Sequence, residues 1–239
     1  MTDGDALLAA ILATPDDDTP RLVYADWLDE NGDPERAEFI RTQIQLGRAP
    51  TLTLRAREKT LLAAHADEWL APLREKGGPL DHGEAHGEFR RGFLEVVWMP
   101  AKWFVKRAPD LFRLAPVREL RVTLTNEAEF VRLVEYPLLG RLHGLDLSDR
   151  RLGDRAAELL AWSAFAGGLR VIRLRGCGIT DDGADRLAGA GFDGPLRELD
   201  VSHNPISPRG VAALRDRYGG AVRAVGMEDR PTPPGVTSA

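Results

Sequence analysis

Apolar positions recur with a fixed period between residues 142 and 206. The phrase Leu142-x-x-Leu145-x-Leu147-x-x-Arg150-x-Leu152 returns as Leu169-x-x-Ile172-x-Leu174-x-x-Cys177-x-Ile179. It returns again as Leu196-x-x-Leu199-x-Val201-x-x-Asn204-x-Ile206, each time after 27 residues. Inside each phrase apolar and polar residues alternate, the two-residue period of a strand with one covered face. Ala157, Ala184 and Val211 follow the phrases by five residues, and Leu160, Leu187 and Leu214 by eight, which is the spacing of one helical face. Phe165 and Phe192, with Tyr218 one place earlier in the third unit, close each turn. A unit of one strand and one helix cannot bury its apolar face alone, so the pattern predicts stacked turns.

The same phrase without its Asn/Cys ending is read at Phe93-x-x-Val96-x-Trp98 and Val117-x-x-Leu120-x-Val122, as two degenerate opening repeats. Val222-x-x-Val225-x-Met227 supplies a last strand. Between the opening phrases, Ala101 to Leu114 carries Trp103, Phe104, Ala108, Leu111 and Phe112 at helical intervals. Asn126-x-x-Glu129 has the spacing of a capping box for a helix through Phe130, Leu133 and Val134. Upstream, four helices are predicted: Asp5 to Ala13; from Thr19-Pro20 to Asn31-Gly32; from Asp33-Pro34 to about Gly47; and about Thr53 to Leu73. The second and third starts carry an N-cap residue followed by proline at the first helical position; the first and fourth are read from apolar spacing alone. The expected division is a helical module at 1–75, a Gly-rich loop at 76–92, repeats at 93–228 and a disordered Pro-rich tail at 229–239.

Composition narrows the class. With 43% hydrophobic residues in 239, a continuous core is affordable, yet no apolar run reaches the roughly 20 residues that span a bilayer. The acidic start Met1-Thr2-Asp3-Gly4-Asp5 lacks the basic region of a secretory signal, and the single Cys177 excludes an internal disulfide. A cytoplasmic address is the expectation. The net charge of −5 is concentrated at the front: residues 1–50 hold eleven Asp/Glu against four Arg. No basic block is present, which argues against nucleic acid as a partner.

The run Thr19-Pro20-Arg21-Leu22-Val23-Tyr24-Ala25-Asp26-Trp27-Leu28-Asp29-Glu30-Asn31-Gly32-Asp33, with Ala37-Glu38-Phe39-Ile40-Arg41 after it, resembles the bacterial repeat-companion domain. That is a helical module found in front of leucine-rich and other repeats, and the match covers about residues 3–48. The resemblance carries no catalytic residue. The 27-residue units resemble ribonuclease-inhibitor-like leucine-rich repeats, whose ninth phrase position is Asn or Cys; Asn204 and Cys177 obey this and Arg150 departs from it. The resemblance implies an α/β leucine-rich-repeat solenoid, a short parallel-sheet horseshoe with helices on its convex side, preceded by the small all-helical module. It also implies a protein-binding role, some related domains being stimulators of small GTPases.

The surface expected to bind is the concave sheet. Its second column reads Arg118, His143, Arg170, Arg197 and Arg223, nearly all basic. Its fifth reads Arg121, Asp146, Arg173 and Asp200, whose alternating charges are expected to pair laterally between strands ~4.8 Å apart. Glu119 and Glu198 stand in the third column. The partner read from this face is a protein with an acidic surface; nothing sets an oligomeric state, and no cofactor is implied. The alternative is a regulator of an enzyme or GTPase, or a metal-dependent hydrolase near His82, His86, Arg90 and Arg91. His82-x-x-x-His86 has zinc-ligand spacing, but Gly83 and Gly87 oppose the helix that would align the imidazoles. Asp29-x-Asn31-x-Asp33 imitates the start of a calcium loop without its glycine or final acid; helix-capping turns explain the same letters. Cys177 is expected to be buried and structural, and Asp26 to pair with Arg41.

Overall fold

The computed structural model describes residues 2–75, 77–81, 85–192 and 194–226. These form two compact units, one built from the described residues within 2–99 and 106–118 and the other from those within 100–105 and 119–226. In the first, helices α1 (Asp3–Ala13), α2 (Thr19–Glu30), α3 (Pro34–Arg48) and α4 (Leu52–Arg74) precede strands β1 (His86–Arg90) and β2 (Phe93–Pro100). Helix α5 (Ala101–Leu114) follows.

The helix starts obey the local chemistry. Thr2 and Asp5 exchange side-chain bonds with each other's amides at 2.8 and 3.2 Å, Asp33 accepts from the Arg36 amide at 3.1 Å, and Thr51 accepts from Leu54 at 3.2 Å. Each satisfies an N–H that has no partner within its helix. Thr19, read as an N-cap, is instead the first helical residue, and Asp17 accepts its amide at 2.8 Å. Ile11, Ala25, Leu28, Ala37, Ile40 and Ile44 converge with Phe93 in one core.

Two sequence readings change here. Segment 76–92, read as a loop, contains β1, which pairs antiparallel with β2. Phe93-x-x-Val96-x-Trp98, read as a degenerate repeat, is therefore a hairpin strand, and its residues 93–97 are buried without alternation. The turn is Arg91-Gly92, both left-handed at φ 50° and 84°, the twist that suits a two-residue hairpin. Gly92 is required twice over, because a Cβ there would stand 2.4 Å from the Ile40 side chain. Gln43 of α3 holds the hairpin, accepting from the Gly92 amide at 2.7 Å and donating to the Phe89 carbonyl at 3.0 Å. The hairpin thus belongs with the helices, and so do residues 106–118, a division different from boundaries at 75 and 93.

The second unit carries a parallel sheet in chain order: β3 (Glu119–Thr123), β4 (Gly144–Asp146), β5 (Val171–Arg173), β6 (Glu198–Asp200) and β7 (Val222–Arg223). Successive strands are joined through α6 (Glu127–Val134), α7 (Asp154–Trp162), α8 (Asp181–Ala188) and α9 (Pro208–Tyr218), as parallel pairing requires a crossover. Leu120, Leu145, Ile172 and Leu199 stand in register and are fully buried. Asn126 caps α6 through the Glu129 amide at 3.0 Å, but Glu129 reaches back to the Thr125 amide rather than to Asn126. The last phrase is less regular: Val225 is 59% exposed, while Met227 and the 229–239 tail lie outside the described residues.

Hydrogen bonding between turns outlasts the three-residue strands. Leu147, Leu174 and Val201 donate to the carbonyls of Arg173, Asp200 and Arg223, and Asp149, Gly176 and His203 donate to those of Arg175, Ser202 and Val225, all within 2.7–3.0 Å. Asp149, Gly176 and His203 share a left-handed backbone, φ 61°, 63° and 58°, so each turn bends at the same place.

The ninth phrase position then reaches across to the preceding turn. Asn204 donates to the Leu174 carbonyl at 2.7 Å and accepts from the Ile179 amide at 3.0 Å. Cys177 donates to the Leu147 carbonyl at 3.2 Å. Arg150, the departure from the pattern, donates to the equivalent Val122 carbonyl at 3.4 Å, so the bend keeps its donor. Replacing Asn204 by Ala leaves a buried carbonyl and a buried amide unpaired, at ~1–3 kcal/mol each, so Asn204→Ala is expected to cost roughly 2–5 kcal/mol. Arg150→Ala leaves one buried carbonyl, that of Val122, without a bond that was already long at 3.4 Å, and is expected to cost ~1–2 kcal/mol, less than Asn204→Ala. Equilibrium urea unfolding of the two variants checks the order; equal losses would contradict it.

Candidate functional site

Opposite the buried row, two columns share the other sheet face: Glu119, Gly144, Val171 and Glu198, and Arg121, Asp146, Arg173 and Asp200. The fifth column does not pair laterally throughout. Arg121 meets Asp146 at 3.3 Å, as alternation predicts, but Arg173 turns to the third column instead. Its Nε and Nη2 hold the two Glu198 carboxylate oxygens at 3.0 and 3.1 Å, while Nη1 lies 3.3 Å from Glu119.

Glu119 sits two strands from Arg173, and Gly144 on the strand between them opens the path. A Cβ at Gly144 would stand 2.5 Å from Glu119 Cγ. Glu198 extends the chain to Arg223 at 3.5 Å. For Arg173, burial pulls the pKa down and is outweighed by Glu198 and Glu119, so the net shift is upward. Asp146 and Asp200 each accept the amide two residues on, from Ser148 at 3.0 Å and Ser202 at 2.9 Å, which locks them as Asx turns at the strand ends.

The second column is not one basic stripe. Arg118 belongs to the first unit and meets Asp16 at 2.8 Å. Arg170 folds onto its own loop, donating to the Gly167 and Leu169 carbonyls at 3.1 and 2.9 Å. The backbone carbonyl of the half-buried His143 accepts the Arg170 and Val171 amides at 2.7 and 2.9 Å. Arg197 is exposed, and Arg223 is exposed despite its contact with Glu198. A sequence column records which side chains leave a face, but cannot show which of them the adjoining loops recapture.

The metal-like motifs are occupied by local bonds. Arg41 bridges Asp26 and Asp29, each at 2.6 Å; the pairing with Asp26 matches expectation, although that carboxylate is largely exposed. Asn31 donates to the Trp27 carbonyl at 2.8 Å. His86 is an exposed residue of β1 opposite Trp98, and His82 lies outside the described residues. Cys177 is fully buried, and burial pushes its thiol up to about 11, away from the thiolate that reacts.

Two features escaped the sequence reading. Asp154 accepts from the Thr180 amide and hydroxyl, both at 2.7 Å, and Asp181 accepts from the Ser207 amide and hydroxyl at 2.8 and 2.6 Å. Each carboxylate at the start of one helix thereby fastens the start of the next. Gly183 and Gly210 make room, since a Cβ at either would lie 2.3 or 2.4 Å from the carboxylate oxygen. These pairs also recur every 27 residues, so the period held the signal, outside the apolar positions. The other feature is Arg21, fully buried, which meets Glu95 at 2.8 Å and donates to the Pro15 and Arg91 carbonyls. Arg91 also grips Glu95, at 3.0 Å. Burial pulls Arg21 down to about 10, opposed by Glu95, so it stays cationic at neutral pH.

The Ser207 contacts give a pH test. The hydroxyl and amide of Ser207 hold Asp181 below its ordinary value of 3.8. A depressed carboxylate adds stability that is present above the unfolded-state value and is lost as the pH falls through the folded-state value. Wild type is therefore expected to exceed Asp181→Asn in urea midpoint at neutral pH, with the gap closing as the pH drops below 3.8. A gap constant with pH would contradict the assignment. For the thiol, a disulfide reagent at neutral pH is expected to label Cys177 only in urea; prompt labelling of native protein would overturn its structural role.

No curated protein matches the chain. The family model described as Leucine Rich repeat matches residues 169–188 and 195–214. Those stretches take in β5 with α8 and β6 with α9, the two turns whose ninth positions are Cys177 and Asn204. Residues 169–214 are leucine-rich repeats.

Proposed function

We propose that this chain is a non-catalytic protein-interaction module that holds a protein partner on the charged face of its parallel sheet. One observation carries the reading. The face is prepositioned, because Glu119, Arg173 and Glu198 are fixed by mutual bonds on strands rather than on loops. Side chains already held in place lose little conformational freedom on binding, and leucine-rich repeats commonly mediate contacts between proteins. The fixed pairs neutralise one another, so they supply shape and selectivity, while the exposed Arg197 supplies the attraction for an acidic partner.

On the same footing we read the repeats as a short solenoid of the ribonuclease-inhibitor-like class, with this face concave. Residues 3–48 are read as a repeat-companion module. No described helix is long and apolar enough to cross a membrane, and a cytoplasmic location is proposed from the buried free thiol.

The test is capture from the native cell lysate with wild type and with the pair Arg121→Glu and Arg197→Glu. Arg121 is 40% exposed in its pair with Asp146, so the double change is expected to cost about 1 kcal/mol or less and to leave the circular-dichroism spectrum unchanged. Mass spectrometry is expected to show a protein retained by wild type and lost by the variant. An identical set of captured proteins would count against this face.

A further inference from the structure

Strand β7 is the last of the parallel sheet, and among the described residues its outer edge pairs with no further strand. The carbonyls of Arg223 and Val225 accept from Val201 and His203, and the Val225 amide donates to the Ser202 hydroxyl at 3.0 Å. Residues 223 and 225 therefore face β6. Backbone groups alternate sides along a strand, so those of Val222 and Ala224 face outward. The Val222 amide is taken by the Gly219 carbonyl. The Val222 carbonyl and both main-chain groups of Ala224 have no hydrogen bond among the described residues.

This edge borders a cleft of about 280 Å³ lined by Val201, Ile206, Pro208, Val211 and Val225. Its wall includes Val225, a 59% exposed aliphatic side chain. A second cleft of about 470 Å³ shares His203, Ala224 and Val225, and is bounded by Arg175, Arg215 and Arg223 against a single carboxylate, Asp200. Arg175 and Arg215 are exposed.

We infer that the β7 edge and its two clefts are a second binding site, which takes an extended segment of another protein as an added strand. The segment's outward-facing backbone pairs with Val222 and Ala224. One of its apolar side chains enters the cleft beside Val225, and acidic side chains flanking it meet Arg175, Arg215 and Arg223. The arginines select the occupant. A second copy of this chain would bring the same cations face to face across the new pair, which like charges disfavour, whereas an acidic strand complements them and main-chain pairing supplies affinity. The site adjoins the charged face at its β7 end, sharing Asp200 and Arg223 with it, but it uses neither Arg121 nor Arg197 and does not depend on a partner being held there.

The experiment is fluorescence anisotropy of the full chain with a labelled synthetic peptide, Glu-Val-Asp-Val-Glu-Leu-Asp. Saturable binding that weakens with added salt is expected. Ala224→Pro removes an outward N–H, a position where an edge strand tolerates proline, without touching the arginines; it is expected to weaken binding at least tenfold. Val225→Glu, at an exposed position, is expected to do the same, and covers the case in which the proline variant does not fold. Arg121→Glu with Arg197→Glu is expected to bind like wild type. Absence of saturable binding, or unchanged affinity in Val225→Glu, overturns the site. Self-association in sedimentation velocity that Val225→Glu abolishes would assign the edge to a second copy and overturn the acidic-strand occupant.

Discussion

Short parallel strands create a problem that each turn must solve. A strand of three residues ends with main-chain carbonyls still inside the molecule, where an unmet acceptor costs ~1–3 kcal/mol. Here the ladder runs on past the strands through a left-handed residue, and the next buried carbonyl is met by a side chain from the following turn. Asn204, Cys177 and Arg150 perform that task for Leu174, Leu147 and Val122. Everything else in the repeat unit, from the register of its apolar row to the placement of its charged columns, relies on turns kept at this spacing.

Much of that order was legible in the sequence because it is periodic and local. Apolar letters at fixed intervals located the five parallel strands and the helices between them, and capping residues located the starts of α3 and α6 and, within one residue, that of α2. The misreadings arose where distant parts of the chain decide. Phe93 to Trp98 fits a repeat phrase by letters, yet β1 pairs with it as a hairpin and α3 claims that hairpin through Gln43 and Ile40. A phrase of three apolar positions cannot distinguish a strand covered on one face from one covered on both.

The charged face shows the same limit in another form. Its columns were readable, since two-residue alternation settles which side chains leave a face. Their pairing was not, because a guanidinium spans far enough to choose among several carboxylates, and the choice rests on an absent side chain at Gly144. The carboxylates of Asp154 and Asp181 were within reach of the sequence, since their hydroxyl partners and the glycines that admit them keep the 27-residue interval. Attention to apolar periodicity alone passed over them. Arg21 and Glu95 had no such signal: 74 residues of chain separate the two, and only folding makes them neighbours.

Stacked repeats ordinarily touch only the turn before and the turn after, so their unfolding resembles a line of dominoes with nearest-neighbour coupling. The contact from Glu119 over Gly144 to Arg173 departs from that scheme. It ties the first parallel strand to the third without involving a side chain of the second, and Glu198 carries the tie to the fourth. In mechanical terms the sheet face has a transverse brace that resists splaying of turns which share no backbone hydrogen bond. Strands β3 to β6 should therefore open as one cooperative block, with fraying easiest at β7, whose Arg223 is exposed and joins the brace through a longer contact of 3.5 Å with Glu198.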